Sequence, residues 1–162
     1  MAELKRRTGA PIAAHRGDAE YARTGRHRLG IGRGWAGVTT QRLSDLVRFE
    51  YRFEPFTPDL WLEEGEGLNE LGVAALVVHT PGHTLGSISL ALQDGVMLIG
   101  DALINLFKLG YPMYWECPEL ARESARRIQS LKPRVLYSGH GRPFDGKELD
   151  RFIDLQIEKS EI

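Results

Sequence analysis

Residues Val77 to Asp101 read V-V-H-T-P-G-H-T-L-G-S-I-S-L-A-L-Q-D-G-V-M-L-I-G-D, and few folds can use such a stretch. An apolar, largely β-branched run (Val73, Leu76, Val77, Val78) ends at His79, where Pro81-Gly82 forces a turn and presents His83 in a tight loop. Ile88, Leu90 and Leu92 then alternate with smaller residues, the period of a half-buried strand. Asp94-Gly95 is a hairpin turn, and Val96 to Ile99 delivers Gly100-Asp101 to the end of a third strand. Val135-Leu136-Tyr137 does the same for Ser138-Gly139-His140-Gly141. His83, Asp101 and His140 thus sit on glycine-rich loops at strand ends. Neutral imidazoles and an ionised carboxylate are the donors that a divalent metal takes. His79 is four residues from His83, a ligand spacing on a helix, but the Pro-Gly turn between them makes His79 structural.

T-P-G-H-T-x-G-S, then G-D eighteen residues after His83, then S-G-H-G near the end, resembles the second half of a metallo-β-lactamase superfamily domain. The resemblance covers nearly the whole chain, as a single partial domain over residues 1–162. It implies an α/β fold, the second half of an αββα sandwich, with metals at one edge. It also implies roles. His83 would bind a first metal, His140 a second, and Asp101 would bridge the two. Two divalent ions are implied, zinc by preference, with iron or manganese as alternatives. Their shared hydroxide would attack a carbonyl or phosphoryl centre. The family's opening H-x-H-x-D-H, which supplies most of the ligands and the proton-handling aspartate, does not occur in these residues, so no catalytic residue is assigned.

Net charge is −1, so bulk charge gives no reason to expect a nucleic-acid partner. The only cysteine, Cys117, cannot form an internal disulfide, which suits the cytoplasm. It precedes a helix start without a partner base and reads as inert. The longest purely apolar run, Val73 to Val78, is far too short for a membrane span.

Ala2 to Thr8 reads as the end of a helix, with basic residues last and Gly9 after it. Pro11 to His15 reads as a short strand, and Asp18 as the cap of a helix over Ala19 to Arg23. In the family pattern Met1 falls where an internal residue belongs. The expectation is a fragment or a misassigned start, with a shortened protein as the alternative. His15 occupies a place that is not usually a ligand.

Gly25 to Gly37 reads as loop. Arg26, Arg28 and Arg33 suit an anionic group there, although a solvated connection is the simpler reading. G-I-G-R-G-W-A-G follows no strand and fails as a dinucleotide fingerprint. Leu43, Leu46 and Val47 suggest a short helix. Residues 25–58 together read as a variable insertion at the mouth of the site, lined by Trp35, Phe53 and Phe56. Ala102 to Tyr114 reads as a loop whose apolar residues, Leu106 onward, suit substrate contact or packing against a further segment or subunit.

Pro118 opens a helix whose buried stripe is Leu120, Ala121, Ala125, Ile128 and Leu131. Asp145 and Glu148 form a capping box for a last helix that packs through Leu149, Phe152, Ile153 and Ile157. The strands Val73–Val78 and Val96–Ile99 are apolar at nearly every position, the pattern of strands buried on both faces. The two helices cover one face, so the other is expected to be open and to favour self-association.

The expected function is metal-dependent hydrolysis of an ester, thioester or lactone, a small-molecule substrate, with the chain as given inactive. A non-enzymatic interaction module and a mononuclear metal-binding protein are the alternatives.

Overall fold

The computed structural model describes residues 1–160. The helix at the start is α1 (Ala2–Thr8), closed by Gly9 in the left-handed conformation. The elements β1 (Ala13–Ala14), α2 (Ala19–Thr24), β2 (Arg26–His27), β3 (Ile31–Gly32), α3 (Gly34–Leu46), β4 (Tyr51–Arg52) and β5 (Leu60–Trp61) follow. Four of these strands make two-residue ribbons with one another, β1 parallel to β5 and β2 antiparallel to β4. The expected loop at Gly25–Gly37 is therefore wrong in its regular part. It contains two short strands and the start of α3, which runs thirteen residues. The apolar residues Leu43, Leu46 and Val47 point to solvent. The helix is anchored instead through buried Gly37 and Ser44, positions whose small side chains gave no periodic signal.

The main sheet is built from β6 (Ala75–His79), β7 (Ile88–Leu92), β8 (Val96–Gly100), β10 (Val135–Ser138) and β11 (Phe144–Asp145). Its strand order is β11-β10-β8-β7-β6. The strands β6, β7 and β8 form an antiparallel meander, and Asp94 at φ 60° with Gly95 at φ 70° makes the turn between the last two. The chain then leaves through β9 (Tyr114–Trp115), which pairs with β3, and α4 (Pro118–Ser130). It returns as β10, parallel to β8. This crossover puts the carboxyl ends of β8 and β10 side by side, with Asp101 and His140 just beyond them.

The last helix, α5 (Gly146–Ser160), starts at the capping box. The Glu148 N–H donates to Asp145 Oδ1 at 2.8 Å, and the Asp145 N–H to Glu148 Oε2 at 3.3 Å. On one face of the sheet Val78, Met97, Ile99 and Leu136 pack against Ala121, Ala125 and Ile128 of α4 and Leu149 and Ile153 of α5. Leu131, expected in that stripe, is half exposed at the helix end. The Ile157 side chain lies outside the described residues.

The other face is divided. Over β6 and β7 it is covered, because Leu62 and Leu68 fold down onto Ala75, Val77, Ile88, Leu90 and Leu92. Over β8 and β10 it is not. Leu98 aligns with Leu90 on one side and Tyr137 on the other, and Leu98 and Tyr137 remain 41% and 45% exposed. The expectation of strands buried on both faces thus holds over only part of the sheet. Leu62 and Leu68, which do this covering, flank the acidic run Glu63 to Gly67, whose composition alone suggests only a solvated turn. Among the described residues no helix is long and apolar enough to cross a membrane.

Neighbours on opposite faces of β8 make the asymmetry measurable. Ile99→Ala, which empties a fully packed position, is expected to cost about 2–5 kcal/mol in denaturant unfolding. Leu98→Ala, on the uncovered face, is expected to cost about 1 kcal/mol or less.

Candidate metal centre

The loop from Thr80 to Ser87 is shaped by its own polar groups and by two carboxylates from distant parts of the chain. The Thr80 and Ser89 hydroxyls bond at 2.9 Å in full burial, and the Thr84 N–H donates to Ser87 Oγ at 3.0 Å. Asp18 accepts from the Gly86 N–H and the Thr84 hydroxyl, each at 2.9 Å. A Cβ on Gly86 would stand 2.4 Å from the Asp18 carboxyl carbon, so this approach requires glycine. On the other side Glu116 Oε2 accepts the Leu85 N–H at 2.7 Å, and Oε1 accepts the Tyr21 hydroxyl. The Glu116 N–H itself donates to the Gly82 and His83 carbonyls at 2.8 and 3.1 Å. Burial, and then the carboxylate beside it, push the Tyr21 phenol far above its ordinary value, which keeps it a donor.

His83 projects from the clamped loop. Its Nδ1 lies 2.9 Å from the Tyr114 carbonyl. A carbonyl only accepts, so Nδ1 carries the proton and Nε2 presents a lone pair. That Nε2 lies 3.7 Å from Asp101 Oδ2, and His140 Nε2 lies 3.6 Å from the same oxygen. His140 is set by its own carbonyl, which accepts the Asn105 N–H at 3.0 Å and the Ser138 hydroxyl at 2.8 Å. The other Asp101 oxygen, Oδ1, is buried without a hydrogen-bond partner. A Cβ on Gly139 would reach within 2.6 Å of it. His83, Asp101 and His140 share a cavity of about 430 Å³ with Leu29, Tyr51 and Met113.

The three residues picked out from the sequence are therefore brought together. Among the described residues no group of three or more His, Cys, Asp or Glu side chains stands ready to hold one ion. The two statements agree once the pairs are considered separately. Two ligand atoms on one tetrahedral ion stand about 3.4 Å apart for bond lengths near 2.1 Å. Each imidazole is close to that distance from one common oxygen. A larger cavity of about 890 Å³, between Gln129 and Asp150, shares no residue with this site.

This sheet, with its three loops at one edge, defines the class. Residues 1–140 match the metallo-beta-lactamase superfamily, and the chain belongs to that family. It is 38% identical over 85 residues to a probable metallo-hydrolase of Bacillus subtilis, across 43% of this chain and 32% of that protein. It is 35% identical over 88 residues to a hydroxyacylglutathione hydrolase of Rhodopseudomonas palustris, across 51% and 32%. The chain thus matches about a third of the length of these two relatives. A superfamily protein of Sulfolobus tokodaii superposes with a TM-score of 0.64 at 19% identity, over 99% of this chain and 63% of that one. A protein solved in a di-iron-bound form gives 0.65 at 22% identity, over 93% and 67%. At such identities these likenesses establish the fold.

Other expectations need correction. Trp35 is 86% exposed and does not line the cavity. Phe53 and Phe56 line a separate cavity beside Ile12 and Tyr21. The segment 25–58 does reach the site, through His27, Leu29, Gly30 and Tyr51. Of the apolar loop after Asp101, Leu106, Met113 and Tyr114 line the cavity, whereas Tyr111 and Trp115 belong to the core. Asp18 makes no cap bond to α2. Its roles and those of Glu116 and Tyr114 were missed because each acts on a loop far away in sequence.

His15 and His79 lie outside the site, stacked with ring centroids 4.0 Å apart. His15 Nδ1 accepts the Gly17 N–H at 3.1 Å. Burial first, and His79 second, hold the His15 imidazole below its ordinary value of 6.5. The unfolded chain therefore takes up this proton before the folded one as pH falls. Stability from this group is present above pH 6.5 and is lost below it, until the folded imidazole also protonates. Unfolding free energies between pH 8 and pH 5 should decline with acid, and His15→Gln should flatten part of that decline. Separately, Asp18→Ala should cost about 1–3 kcal/mol and speed hydrogen exchange at the Gly86 amide.

Proposed function

We propose that this chain forms part of the metal centre of a metal-dependent hydrolase acting on an ester, thioester or lactone, with His83, Asp101 and His140 as ligands. The observation that carries the reading is the approach of both imidazole Nε2 atoms to one Asp101 oxygen, at 3.7 and 3.6 Å. The buried, unpartnered Asp101 Oδ1 and the tautomer fixed on His83 support it. One oxygen common to two pairs favours two flanking ions over one ion in a three-donor cage. Divalent ions held there, zinc by preference and iron or manganese as alternatives, would supply a nucleophilic water at neutral pH and polarise the substrate carbonyl.

The chain's own part is to hold the donors. The Tyr114 carbonyl orients the His83 ring, and Asp18 and Glu116 keep its loop from moving. Leu29, Tyr51, Leu106 and Met113 offer an apolar wall to the substrate. Three donors are half of a dinuclear centre, and the signature segment of the family does not occur in these residues. The 162-residue chain alone is therefore expected to lack turnover. A mononuclear two-histidine, one-carboxylate centre is the second reading, favoured by the number of donors present. Hydrolase relatives and the single Cys117 suit a cytoplasmic enzyme of small molecules.

Calorimetric zinc titration tests the ligands. The chain should bind zinc weakly and substoichiometrically, and His83→Ala or His140→Ala should each reduce affinity by about tenfold or more. Unchanged uptake in the double variant would refute the assignment. We also infer self-association through the uncovered face around Leu98 and Tyr137. Analytical ultracentrifugation should show it, and Leu98→Ser with Tyr137→Ser should reduce it; a monomer at every concentration would refute it.

A further inference from the structure

Beyond the metal centre the cavity does not end. Its wall at His27, Leu29 and Gly30 is also the wall of a second cavity of about 520 Å³. The second cavity is bordered by Arg26, Arg28, Gln41 and Glu50, with Tyr21 and Glu116 at its inner side. Its carboxylates are committed. Glu116 takes the Tyr21 hydroxyl and the Leu85 N–H. Glu50 serves two guanidiniums at once, Arg28 at 3.2 Å and Arg26 at 3.9 Å.

Its donors are in excess. Gln41 uses its Oε1 on the Gly32 N–H at 2.7 Å, and its amide N–H groups have no acceptor among the described residues. His27 Nε2 is buried without a hydrogen-bond partner, 3.6 Å from Glu116 Oε1. Residues 25–53 carry six arginines against Asp45 and Glu50, in a chain whose net charge is −1. Of these arginines Arg26 and Arg28 border the second cavity.

We propose that this second cavity binds the anionic end of the substrate, a carboxylate or phosphate held by Arg26 and Arg28, with His27 touching the substrate where the two cavities meet. The substrate class is then an ester or thioester that carries an anion at a distance from the scissile carbonyl. The naming of the scissile group rests on the hydrolase reading; the anion site does not. Guanidiniums suit such a group because their fork matches both carboxylate and phosphate oxygens.

The test uses the 162-residue chain without metal, at low ionic strength, followed by amide and imidazole NMR. The probes are glutarate, n-propyl phosphate and, as a neutral comparator, dimethyl glutarate. Both anions should bind saturably, shift the His27, Arg26 and Arg28 signals, and weaken with added salt. The anion that binds more tightly identifies the carboxylate or phosphate source. Arg26→Gln with Arg28→Gln should weaken binding by about tenfold or more. These side chains are largely exposed, and an unchanged melting curve of the variant excludes misfolding. Equal binding of dimethyl glutarate, no saturable binding of either anion, or undiminished binding in the double variant each overturns the proposal. Zinc uptake by the same variant reports on the metal centre alone, so the two readings fail separately.

Discussion

Two carboxylates hold the loop on which the site depends. Asp18 and Glu116 each spend both oxygens from opposite sides of Thr80–Ser87, and each reaches at least one backbone N–H of that loop. Buried or half-buried N–H groups must find acceptors, and the loop supplies only some of them itself, for example to Gly82, Thr84 and Ser87. Charged acceptors make stronger bonds than carbonyls do. The placement of His83 thus follows from residues that never touch its ring. Gly86 of the motif is explained by the same contact, since a side chain there would displace the Asp18 carboxylate.

Much of this was legible in the sequence where the signal is local. The meander came from strict alternation and one Asp-Gly turn. The capping box of α5 came from two residues three apart. His83, Asp101 and His140 stood out because strand ends followed by glycine are recognisable at short range. What failed was long-range or small-featured. The anchoring of α3 through Gly37 and Ser44 gave no apolar period, and its apolar residues misled by pointing outward. Asp18 carries every mark of a helix cap, and only the folded chain shows that its oxygens face the Thr84–Gly86 turn instead. Glu116 looked like an ordinary charge between a strand and a helix.

The divided sheet face links fold to assembly. Near-continuous apolar composition in β6 and β8 predicted burial on both sides. The structure grants this only in part: Leu62 and Leu68 fold over one face of β6 and β7, while Leu76 within β6 stays 46% exposed. Across β8 and β10 the same composition leaves Leu98 and Tyr137 in contact with solvent. The edge bearing His83, Asp101 and His140 belongs to the same sheet. One framework therefore carries both an exposed apolar surface and the edge at which the two histidines meet the aspartate.

The clamp also has a bearing on the order of events during folding. The turns of the meander join neighbours in sequence, whereas Asp18 meets Thr84 across 66 residues and Tyr21 meets Glu116 across 95. Closing such loops is entropically slow compared with closing a hairpin. The strands of the meander, whose loops carry His83 and Asp101, can pair early, while the geometry that aims His83 arrives only when Asp18 and Tyr21 dock. A nascent chain would thus own a sheet before it owned a site, and damage to the α1–α2 region would spare the architecture while disordering the chemistry.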